Sequence, residues 1–550
     1  METTRTNAAE ALIARRRPVP PRLRGARALA VAAIALFAAG CVTLQPPGAN
    51  YPRHASQAFD HPEATALGRR IDADARAHPG LSGFRLLPRA AQGLRVRAEL
   101  AEAAQKSLDL QYFIIQNDVT GKLLMDTILR AADRGVRVRM LIDDTDDIGK
   151  NKQISALAAH PGIEIRIFNP YYSRGPFNLL RWGEFLVDRR LNYRMHNKVF
   201  IADDAAAVIG GRNIGDEYFA ASARTDFADF DVLAMGEIVP RISRSFDKYW
   251  NSDLAIPVQA LLVAKPTAAA LEAYRQDLEQ NRRAPQTDAH LPKLDVADPV
   301  RALISGDGPV VWAKAEVLYD NPDKDKVEAG EKPGGLLRDR LAQALDKVDH
   351  ELLVVSPYLV PAADGMRLLE GLRERGVRVR IITNSLASTD VPAVHAGYEH
   401  YRKAMLEDGV QLYEVRPVPG ATDDHGHSLK APSSGQFALH AKVFILDRRR
   451  LFVGSMNFDY RSMRLNTEIG LLIDSPDLAR QAGERFDAIA QPANCYIPEL
   501  GPPDAWGGRK LTWRTDEDGK PIVLVKEPAG DVKRELEASV LTLLPIDDLL

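Results

Sequence analysis

Cysteine is almost absent from this chain of 550 residues, occurring only at Cys41 and Cys495. Two cysteines in such different contexts supply neither a disulfide framework nor a zinc site. One-sided charge is also missing, because 72 Lys and Arg stand against 74 Asp and Glu, for a formal net charge of −2. Nucleic-acid binding is dominated by cations that neutralise phosphates, so this balance counts against a nucleic-acid partner. A local basic groove stays compatible with it.

The N-terminal region lacks an apolar run long enough to span a membrane. Its apolar segment, residues 28–40, has 13 residues, whereas a membrane-spanning helix needs about 20. The segment ends on small residues directly before Cys41, which is the arrangement of a secretory signal peptide. Arginines precede it at Arg15, Arg16, Arg17, Arg22, Arg24 and Arg27. We therefore predict that residues 1–40 are a signal peptide.

The ending Ala-Ala-Gly-Cys at residues 38–41 resembles a bacterial lipobox. That resemblance implies that Cys41 receives acyl chains, which would hold the protein on a bilayer as an exported lipoprotein of a bacterial envelope. Residues 41–84 would then form a tether and an N-terminal extension. Val42 leaves the choice between inner and outer membrane open. The alternative is an ordinary secretory signal followed by a chance cysteine.

An internal repeat organises the rest of the chain. The sequence RGVRVR at residues 134–139 recurs 241 residues later. Each copy follows an apolar run (108–115 and 352–359) and an amphipathic stretch (123–133 and 366–375), and strand-like residues come after it. Alternation of strands and helices predicts an α/β fold. Because the chain is too long for one simple core, we expect two copies of one ancestral domain, each a mixed β-sheet flanked by helices.

The boundaries follow from composition. We place the first domain at residues 85–300 and the second at 301–500, since a polar, proline-bearing stretch separates them. Residues 501–550 carry turn signals and little motif content, so we interpret them as a C-terminal tail. The two domains should pack as a pseudo-twofold pair that shares one active site.

One pattern of polar residues occurs once in each domain. His196, Lys198, Asp203, Gly210 and Asn213 follow the spacing HxKxxxxDx6G(G/S)xN. The second copy has the same spacing without a gap, at His440, Lys442, Asp447, Gly454, Ser455 and Asn457. Four fixed polar positions and a glycine at equal spacing, found twice, are very unlikely to arise by chance.

The residue types in this pattern suit a phosphate group. The residues after each lysine are strand formers, and in a strand positions i and i+2 share a face, so His and Lys should point together. Small residues at Gly210, Gly454 and Ser455 allow close approach of a ligand to the backbone, and Asn213 and Asn457 add neutral donors. We predict that these five residues bind substrate.

Two imidazoles in one site predict covalent catalysis. An unperturbed imidazole titrates near ~6.5, so both of its protonation states are accessible. One histidine can attack phosphorus while the other protonates the leaving alcohol, and the roles reverse in the second half-reaction. This scheme requires no metal and no cofactor, and we expect neither.

The repeated pattern is the signature of the phospholipase D superfamily, which this chain therefore resembles. The resemblance implies that His196 is the nucleophile, that His440 is the acid, and that Lys198 and Lys442 hold phosphoryl oxygens. Asp229 and Glu468 match the positions that orient the histidines. Asp203 and Asp447 belong to the motif's catalytic set, although we expect them to fix the loop beyond the strand.

The wider resemblance covers residues 85–500 and is to bacterial C-type cardiolipin synthases. It implies a phosphatidyltransferase that makes cardiolipin from phosphatidylglycerol or phosphatidylethanolamine, with phospholipids and a membrane as partners and an accessory protein left open. Residues 170–186 could supply an apolar approach to the site. The alternatives are a hydrolase of the same chemistry, acting on lipid or on nucleic acid, and a non-catalytic lipid-binding protein.

Overall fold

The structure, a computed structural model, describes residues 45–145, 152–173, 178–222, 225–262, 265–284, 298–306, 308–418, 436–517 and 519–528. The predicted signal peptide, Cys41 and residues 529–550 lie outside this part of the chain. Among the helices of the described residues, none combines the length and the hydrophobicity that crossing a bilayer would require.

Strands and helices alternate through both halves, as the repeat predicts. The strands are β1 (Ser82–Leu87), β2 (Ser107–Tyr112), β3 (Arg137–Asp143), β4 (Ile163–Phe168), β5 (Val199–Ala202), β6 (Ala206–Gly210), β7 (Thr225–Ala228), β8 (Asp231–Gly236), β9 (Ala255–Pro257), β10 (Val311–Tyr319), β11 (Glu351–Val355), β12 (Leu359–Val360), β13 (Arg378–Asn384), β14 (Gln411–Val415), β15 (Gln436–Leu439), β16 (Val443–Leu446), β17 (Arg450–Gly454), β18 (Phe458–Asp459), β19 (Ile469–Asp474), β20 (Cys495–Pro503), β21 (Arg509–Glu517) and β22 (Lys520–Leu524). The α-helices are α1 (Ala66–Ala75), α2 (Ala90–Ala103), α3 (Val119–Asp133), α4 (Lys152–Leu157), α5 (Asn178–Val187), α6 (Val239–Trp250), α7 (Ala268–Arg282), α8 (Pro299–Ser305), α9 (Lys324–Glu328), α10 (Leu337–Leu345), α11 (Ala362–Glu374), α12 (Pro392–Glu407) and α13 (Pro476–Ile489).

Eighteen of the strands form one continuous sheet. Its pairings give the order β9-β4-β3-β2-β5-β6-β8-β1-β10-β19-β17-β16-β11-β13-β14-β20-β21-β22. Outward from the antiparallel pair β1–β10, the first eight strands on each side correspond, with β8 matching β19 and β5 matching β16, while β21 and β22 have no counterpart among the described strands of the first half. The predicted α/β class and the duplication are therefore confirmed, with a pseudo-twofold axis between β1 and β10.

The repeated RGVRVR segment joins a helix to a strand in each half. Helices α3 and α11 end just before it, and Gly135 and Gly376 follow with φ angles of +90° and +81°. Glycine adopts this left-handed conformation without a steric penalty, which is why it ends helices so often. Strands β3 and β13 then begin inside the repeat, at Arg137 and Arg378, three residues earlier than the sequence predicted.

The two halves share one apolar core. Each half has a buried apolar cluster of its own. That of the first half includes residues of α2 and α3, and that of the second half includes residues of α10 to α12. A further cluster contains strand residues of both halves, such as Val232 of β8 and Leu471 of β19, packed with α6 and α13. Because apolar burial supplies most of the driving force for folding, this common core couples the two halves.

The N-terminal extension and the tail differ from our predictions. Residues 53–58, predicted as part of a tether, lie against the end of α6, where Ala58 donates its backbone N–H to Asp247 (2.9 Å). Strand β20 crosses the predicted boundary after residue 500 and continues into the hairpin β21–β22. Beyond it, the Glu527 carboxylate accepts two hydrogen bonds from Arg402 of α12 (2.6 and 3.0 Å). The polar composition of both segments gave no sign of these contacts, because the elements that stabilise the segments are distant in sequence.

Asp203 and Asp447 are part of this framework. Asp203 has a φ angle of +54°, and its carboxylate accepts the backbone N–H groups of Gln105, Lys106 and Ser107 (2.9, 2.7 and 2.9 Å) at the start of β2. Asp447 repeats this arrangement at the start of β11 (2.8 to 2.9 Å). Aspartate tolerates left-handed backbone better than most residues. Each aspartate fixes the start of the neighbouring strand instead of the loop beyond its own strand.

We expect Asp203→Ala to lower the free energy of unfolding by roughly 3 kcal/mol, because it strands buried N–H donors. Asp203→Asn should lose less, since an amide oxygen still accepts and asparagine keeps the left-handed preference. Denaturant titration measures both values. A normal kcat in the folded fraction of each variant would agree with a structural role, and a kcat loss without a stability loss would contradict it.

Candidate active site

Each motif histidine lies in an extended segment just before a strand, held by the other half of the chain. His196 donates its backbone N–H to Thr467 (2.9 Å), and Thr467 donates to the carbonyl of Arg194 (2.9 Å). In the second half, His440 donates to Ala228 (2.8 Å), next to the parallel pair β7–β15. Strands β5 and β16 begin one residue after each lysine, so the histidine and lysine of each motif lie in the extended segment that leads into the strand.

The His196 imidazole binds a carboxylate of the second half. Its Nδ1 lies 3.1 and 3.0 Å from the two carboxylate oxygens of Glu468 and 3.1 Å from the carbonyl oxygen of Ser455. A carbonyl oxygen can only accept, so Nδ1 carries the proton. The lone pair of Nε2 is then free. His196 is held in the tautomer that a nucleophile needs.

The His440 imidazole binds a carboxylate of the first half. Its Nδ1 lies 2.5 Å from Asp229 Oδ2 and 2.8 Å from the Lys442 ammonium. Although burial alone would raise the pKa of Asp229, His440 and Lys442 lower it below its usual range, so this carboxylate is ionised. An ionised partner stabilises the imidazolium form of His440 once it forms.

Both lysines lie against their own histidines. Lys198 Nζ donates to the carbonyl oxygen of His196 (2.6 Å), and Lys442 donates in the same way to that of His440. Each lysine also acts electrostatically on the histidine of the other half. The two motifs therefore meet in one buried site.

Burial and positive charge shift the titration of the whole cluster. Burial first, then Lys198 and Lys442, lowers the pKa of His196 well below 6.5, and the same causes lower the pKa of His440 to about 4. Burial also lowers the pKa of Lys442 to about 8 and raises the pKa of Glu468 to about 7. Both imidazoles are thus neutral near pH 7, and an entering anion would favour their protonated forms and those of the lysines.

The two motif asparagines differ in their surroundings. Asn213 accepts from the backbone of Ile114 (3.3 Å) and donates to the Tyr218 hydroxyl (3.0 Å). In Asn457, the buried side-chain oxygen has no hydrogen-bond partner among the described residues. The side-chain oxygen of Asn457 is therefore less fixed by the protein than that of Asn213.

Gly210, Gly454 and Ser455 have other roles than the predicted contact with substrate. A Cβ at Gly210 would lie 2.1 Å from Asp231 Oδ1, and one at Gly454 would lie 2.4 Å from the carbonyl oxygen of Ile469. These glycines let neighbouring strands approach. Ser455 donates its hydroxyl to Glu468, and its carbonyl accepts from His196. Through these two contacts, Ser455 helps to fix the orientation of the His196 ring.

Aromatic rings that sequence analysis missed flank the two imidazoles. The Phe113 ring lies edge-on to His196 at 4.9 Å, with Lys198 Nζ 5.2 Å from its centre. Tyr218 and Phe227 lie 5.2 and 5.0 Å from His440. Phe113 lies within the apolar run 108–115, and Phe227 comes two residues before Asp229, but no motif sets these rings apart from ordinary core residues. They give each histidine an apolar neighbour.

The aromatic and arginine-rich stretch before the first motif is only partly described. Arg181 and Arg194 lie over the Tyr171 ring at 4.2 and 5.2 Å from its centre. Tyr172 is exposed, and its hydroxyl donates to the carbonyl of Gln45. Phe177 and the side chains of Trp182 and Leu186 lie outside the described part. Whether the stretch lines an approach for lipid stays a prediction.

One group of potential metal ligands occurs elsewhere among the described residues. His395, Glu399 and Glu527 bring their ligand atoms within 4.8 Å of one another. Arg402 already pairs with both Glu527 oxygens, and His395 Nε2 lies 2.7 Å from one of them. A metal ion would have to displace a largely buried guanidinium, so these residues fit an ion-pair network better than a metal centre.

Comparison with known proteins gives concordant matches. Residues 97–250 and 341–490, one segment in each half, match the family "Cardiolipin synthase, PLD-like domain". Cardiolipin synthase C of Escherichia coli (strain K12) is 37% identical over 475 residues, which cover 86% of this chain and 97% of that protein. A Helicobacter pylori protein described as uncharacterized is 32% identical over 421 residues, 76% of this chain and 82% of that protein. A cardiolipin synthase of Oceanobacillus iheyensis is 24% identical over 390 residues, 70% of this chain and 64% of that protein.

The pKa shifts predict an unusual pH profile. Neutral imidazole is the reactive form of a nucleophile, and burial with the two lysines holds the pKa of His196 well below 6.5, so kcat/KM should be lost only when the pH falls well below 6.5. The alkaline limb should lie near pH 8, where Lys442 loses its proton, and Lys442→Arg should move it upward. An acid limb near 6.5, the ordinary imidazole value, would contradict this electrostatic picture.

Proposed function

Because the chain belongs to the cardiolipin synthase family of phospholipase D-like proteins, we propose that it transfers a phosphatidyl group from phosphatidylglycerol or phosphatidylethanolamine to an acceptor lipid, making cardiolipin. The observation that carries this proposal is the crossed pairing of His196 with Glu468 and of His440 with Asp229. Both motifs are complete, which argues against a non-catalytic lipid-binding protein.

In the first half-reaction, His196 is the nucleophile. Its Nε2 lone pair attacks the phosphorus of the donor lipid, a P–N bond forms, and the bond from phosphorus to the headgroup oxygen breaks. Glu468 and Ser455 hold the Nδ1 proton and so keep the ring in the reactive tautomer. The product is a phosphatidyl-histidine and a headgroup alcohol.

His440 supplies the proton for the leaving alcohol. The anionic phosphodiester raises the pKa of His440 on binding, and the ionised Asp229 carboxylate stabilises the imidazolium. Its proton moves to the leaving oxygen. In the second half-reaction, neutral His440 accepts a proton from the acceptor hydroxyl, which attacks phosphorus while the P–N bond breaks. The enzyme then returns to its starting state.

The charged phosphoryl oxygens need cations and neutral donors. Lys198 and Lys442 each contact their own histidine and act electrostatically on the other one, and Asn457 has an unpaired side-chain oxygen, so its amide is available to reorient. Phosphate binding would replace the hydration that burial has removed from the ammonium groups. Phe113, Tyr218 and Phe227 reduce the space for water beside the rings, which favours an alcohol over water as the acceptor.

We further propose that acylated Cys41 anchors the protein to a membrane of the bacterial envelope. Two observations support this placement. Gln45, four residues after Cys41 along the chain, contacts Tyr172, which belongs to the segment before the first motif. Helix α5 in that segment exposes Leu180 by 62% and Val187 by 36%. Exposed apolar side chains on a helix suit a lipid surface.

The substrate assignment is testable with the purified full chain in vesicles of labelled phosphatidylglycerol and phosphatidylethanolamine. We expect labelled cardiolipin as the main product. His196→Ala and His440→Ala should each lower turnover by about 10³-fold or more, because the two rings act in one reaction. His61→Ala, at an exposed histidine, serves as the control. Phosphatidic acid alone would identify a hydrolase, and full activity in either active-site variant would contradict the shared site.

A donor with a better leaving group separates the roles of the two histidines. Phosphatidyl-p-nitrophenol needs little help from an acid, so His440→Ala should still form the covalent adduct on mixing. His196→Ala should form none, because it lacks the nucleophile. Mass spectrometry of the quenched protein locates the adduct. An adduct at His440 in the His196→Ala variant would reverse the assignment.

Replacement of Cys41 by serine tests the anchor. We expect the variant to move from the membrane fraction to the soluble fraction of cell extracts, since it loses its acyl chains. Turnover of detergent-dispersed substrate should change by less than about twofold, because Cys41 lies outside the reacting groups. Wild-type protein without acylation at Cys41, by mass spectrometry, would refute the anchor while leaving the catalytic proposal intact.

A further inference from the structure

Asp143 holds the residue that precedes His196. It ends strand β3 and is fully buried, and its Oδ2 accepts the backbone N–H of Met195 at 2.8 Å. Its other oxygen accepts two hydrogen bonds from the Arg194 guanidinium, at 3.0 and 2.7 Å. Arg194 is itself 3% exposed. A buried ion pair thus fixes the backbone on which the first histidine stands.

Asn384 occupies the corresponding place in the second half. It ends β13, the counterpart of β3, and its Oδ1 accepts the backbone N–H of Leu439 at 2.8 Å. Its Nδ2 donates back to the carbonyl of Leu439 at 2.9 Å. Leu439 precedes His440 as Met195 precedes His196. The residue in the position of Arg194 is Ala438, which is also buried.

We propose that Asp143, together with Arg194, and Asn384 are positioning residues, one for each catalytic histidine. Neither touches the reacting atoms. Each joins the carboxyl end of a central strand to the amide directly before a histidine, and so sets the position of the imidazole relative to the carboxylate that comes from the other half. An error of about 1 Å in such a position can cost about 100-fold in rate.

The two halves use different side chains to hold the backbone N–H of the residue before the histidine. An asparagine fills the place alone, because its amide group both accepts from and donates to Leu439. An aspartate only accepts, and its buried charge needs a cation. Arg194 supplies that cation and also donates to the carbonyl of Asn169 at 3.0 Å. The pairs Asp143–Arg194 and Asn384–Ala438 therefore make the same backbone contact, the first with its charge balanced and the second without charge.

This equivalence gives a sharp test, which rests on the proposed function for its turnover readout. Asp143→Asn should lower kcat by about 100-fold with little change in KM, because the new amide faces the Arg194 guanidinium with a donor and the segment shifts. Arg194→Ala should also lower kcat, since it leaves a buried carboxylate unpaired. The double variant Asp143→Asn/Arg194→Ala places the two residue types of the second half in the first, where Thr145 also donates to the oxygen of residue 143 that faces Arg194. It should recover kcat to within about tenfold of wild type, a strong non-additivity.

A matched control separates positioning from loss of a buried ion pair. Asp109 and Arg139 form a pair of similar burial in the same sheet, at 2.7 and 2.8 Å, without contact to a histidine segment. Asp109→Asn should lower the melting temperature while kcat of the folded protein stays within about twofold of wild type. Losses of kcat in Asp109→Asn equal to those in Asp143→Asn would reduce the effect to general destabilisation and overturn the proposal.

A second readout does not depend on turnover. The rate at which diethyl pyrocarbonate acylates His196, followed by mass spectrometry, reports the reactivity of its ring. We expect this rate to change in Asp143→Asn and to return toward the wild-type value in the double variant. If wild-type protein makes no cardiolipin, the proposed function fails while this measurement still tests the positioning. A double variant whose losses simply multiply, in kcat or in acylation rate, would overturn it.

Discussion

Each imidazole in the site is held by a carboxylate from the other half of the chain. Glu468 binds His196, and Asp229 binds His440. Neither half supplies the carboxylate that binds its own histidine, so the rest of the molecule has to keep the halves in register. The continuous sheet across β1 and β10, the shared core and the parallel pair β7–β15 meet that requirement. Framework aspartates such as Asp203 then fix strand starts far from the chemistry.

The crossed pairs also explain how four basic side chains can lie together in a buried site. Two lysines and two histidines share the buried site, and their pKa values are lowered by burial and by one another. Two carboxylates offset part of this charge. Because the pKa of Glu468 is raised to about 7, this carboxylate is partly protonated near neutral pH. The concentration of positive charge is electrostatically unfavourable by itself, and binding of an anionic phosphodiester would relieve it. Substrate binding and the adjustment of protonation are therefore one event.

Sequence analysis predicted the duplication and the α/β class, and the same spacing supplied the candidate reactive residues, which stay a prediction. It could not predict which carboxylate meets which histidine, since Glu468 is 272 residues from His196. It also assigned Gly210 to substrate, whereas the glycine gives room to Asp231. Asp143 and Asn384 attract no attention in the sequence because different residue types do equivalent work. Residues 53–58 look like a tether because their hydrogen bonds lie with α6, almost 200 residues away.

The unlike pairs that precede the two histidines show what joining the halves in one chain permits. In a homodimer built from one such domain, every substitution would appear twice, and a change that suited an acid would also alter the nucleophile. In this chain of two linked copies, the first half has an aspartate with an arginine before its histidine, and the second half has an asparagine with an alanine. Because the two copies lie in one chain, a substitution in one copy leaves the other copy unchanged. The molecule can keep a nearly symmetric scaffold while its two imidazoles evolve toward separate tasks.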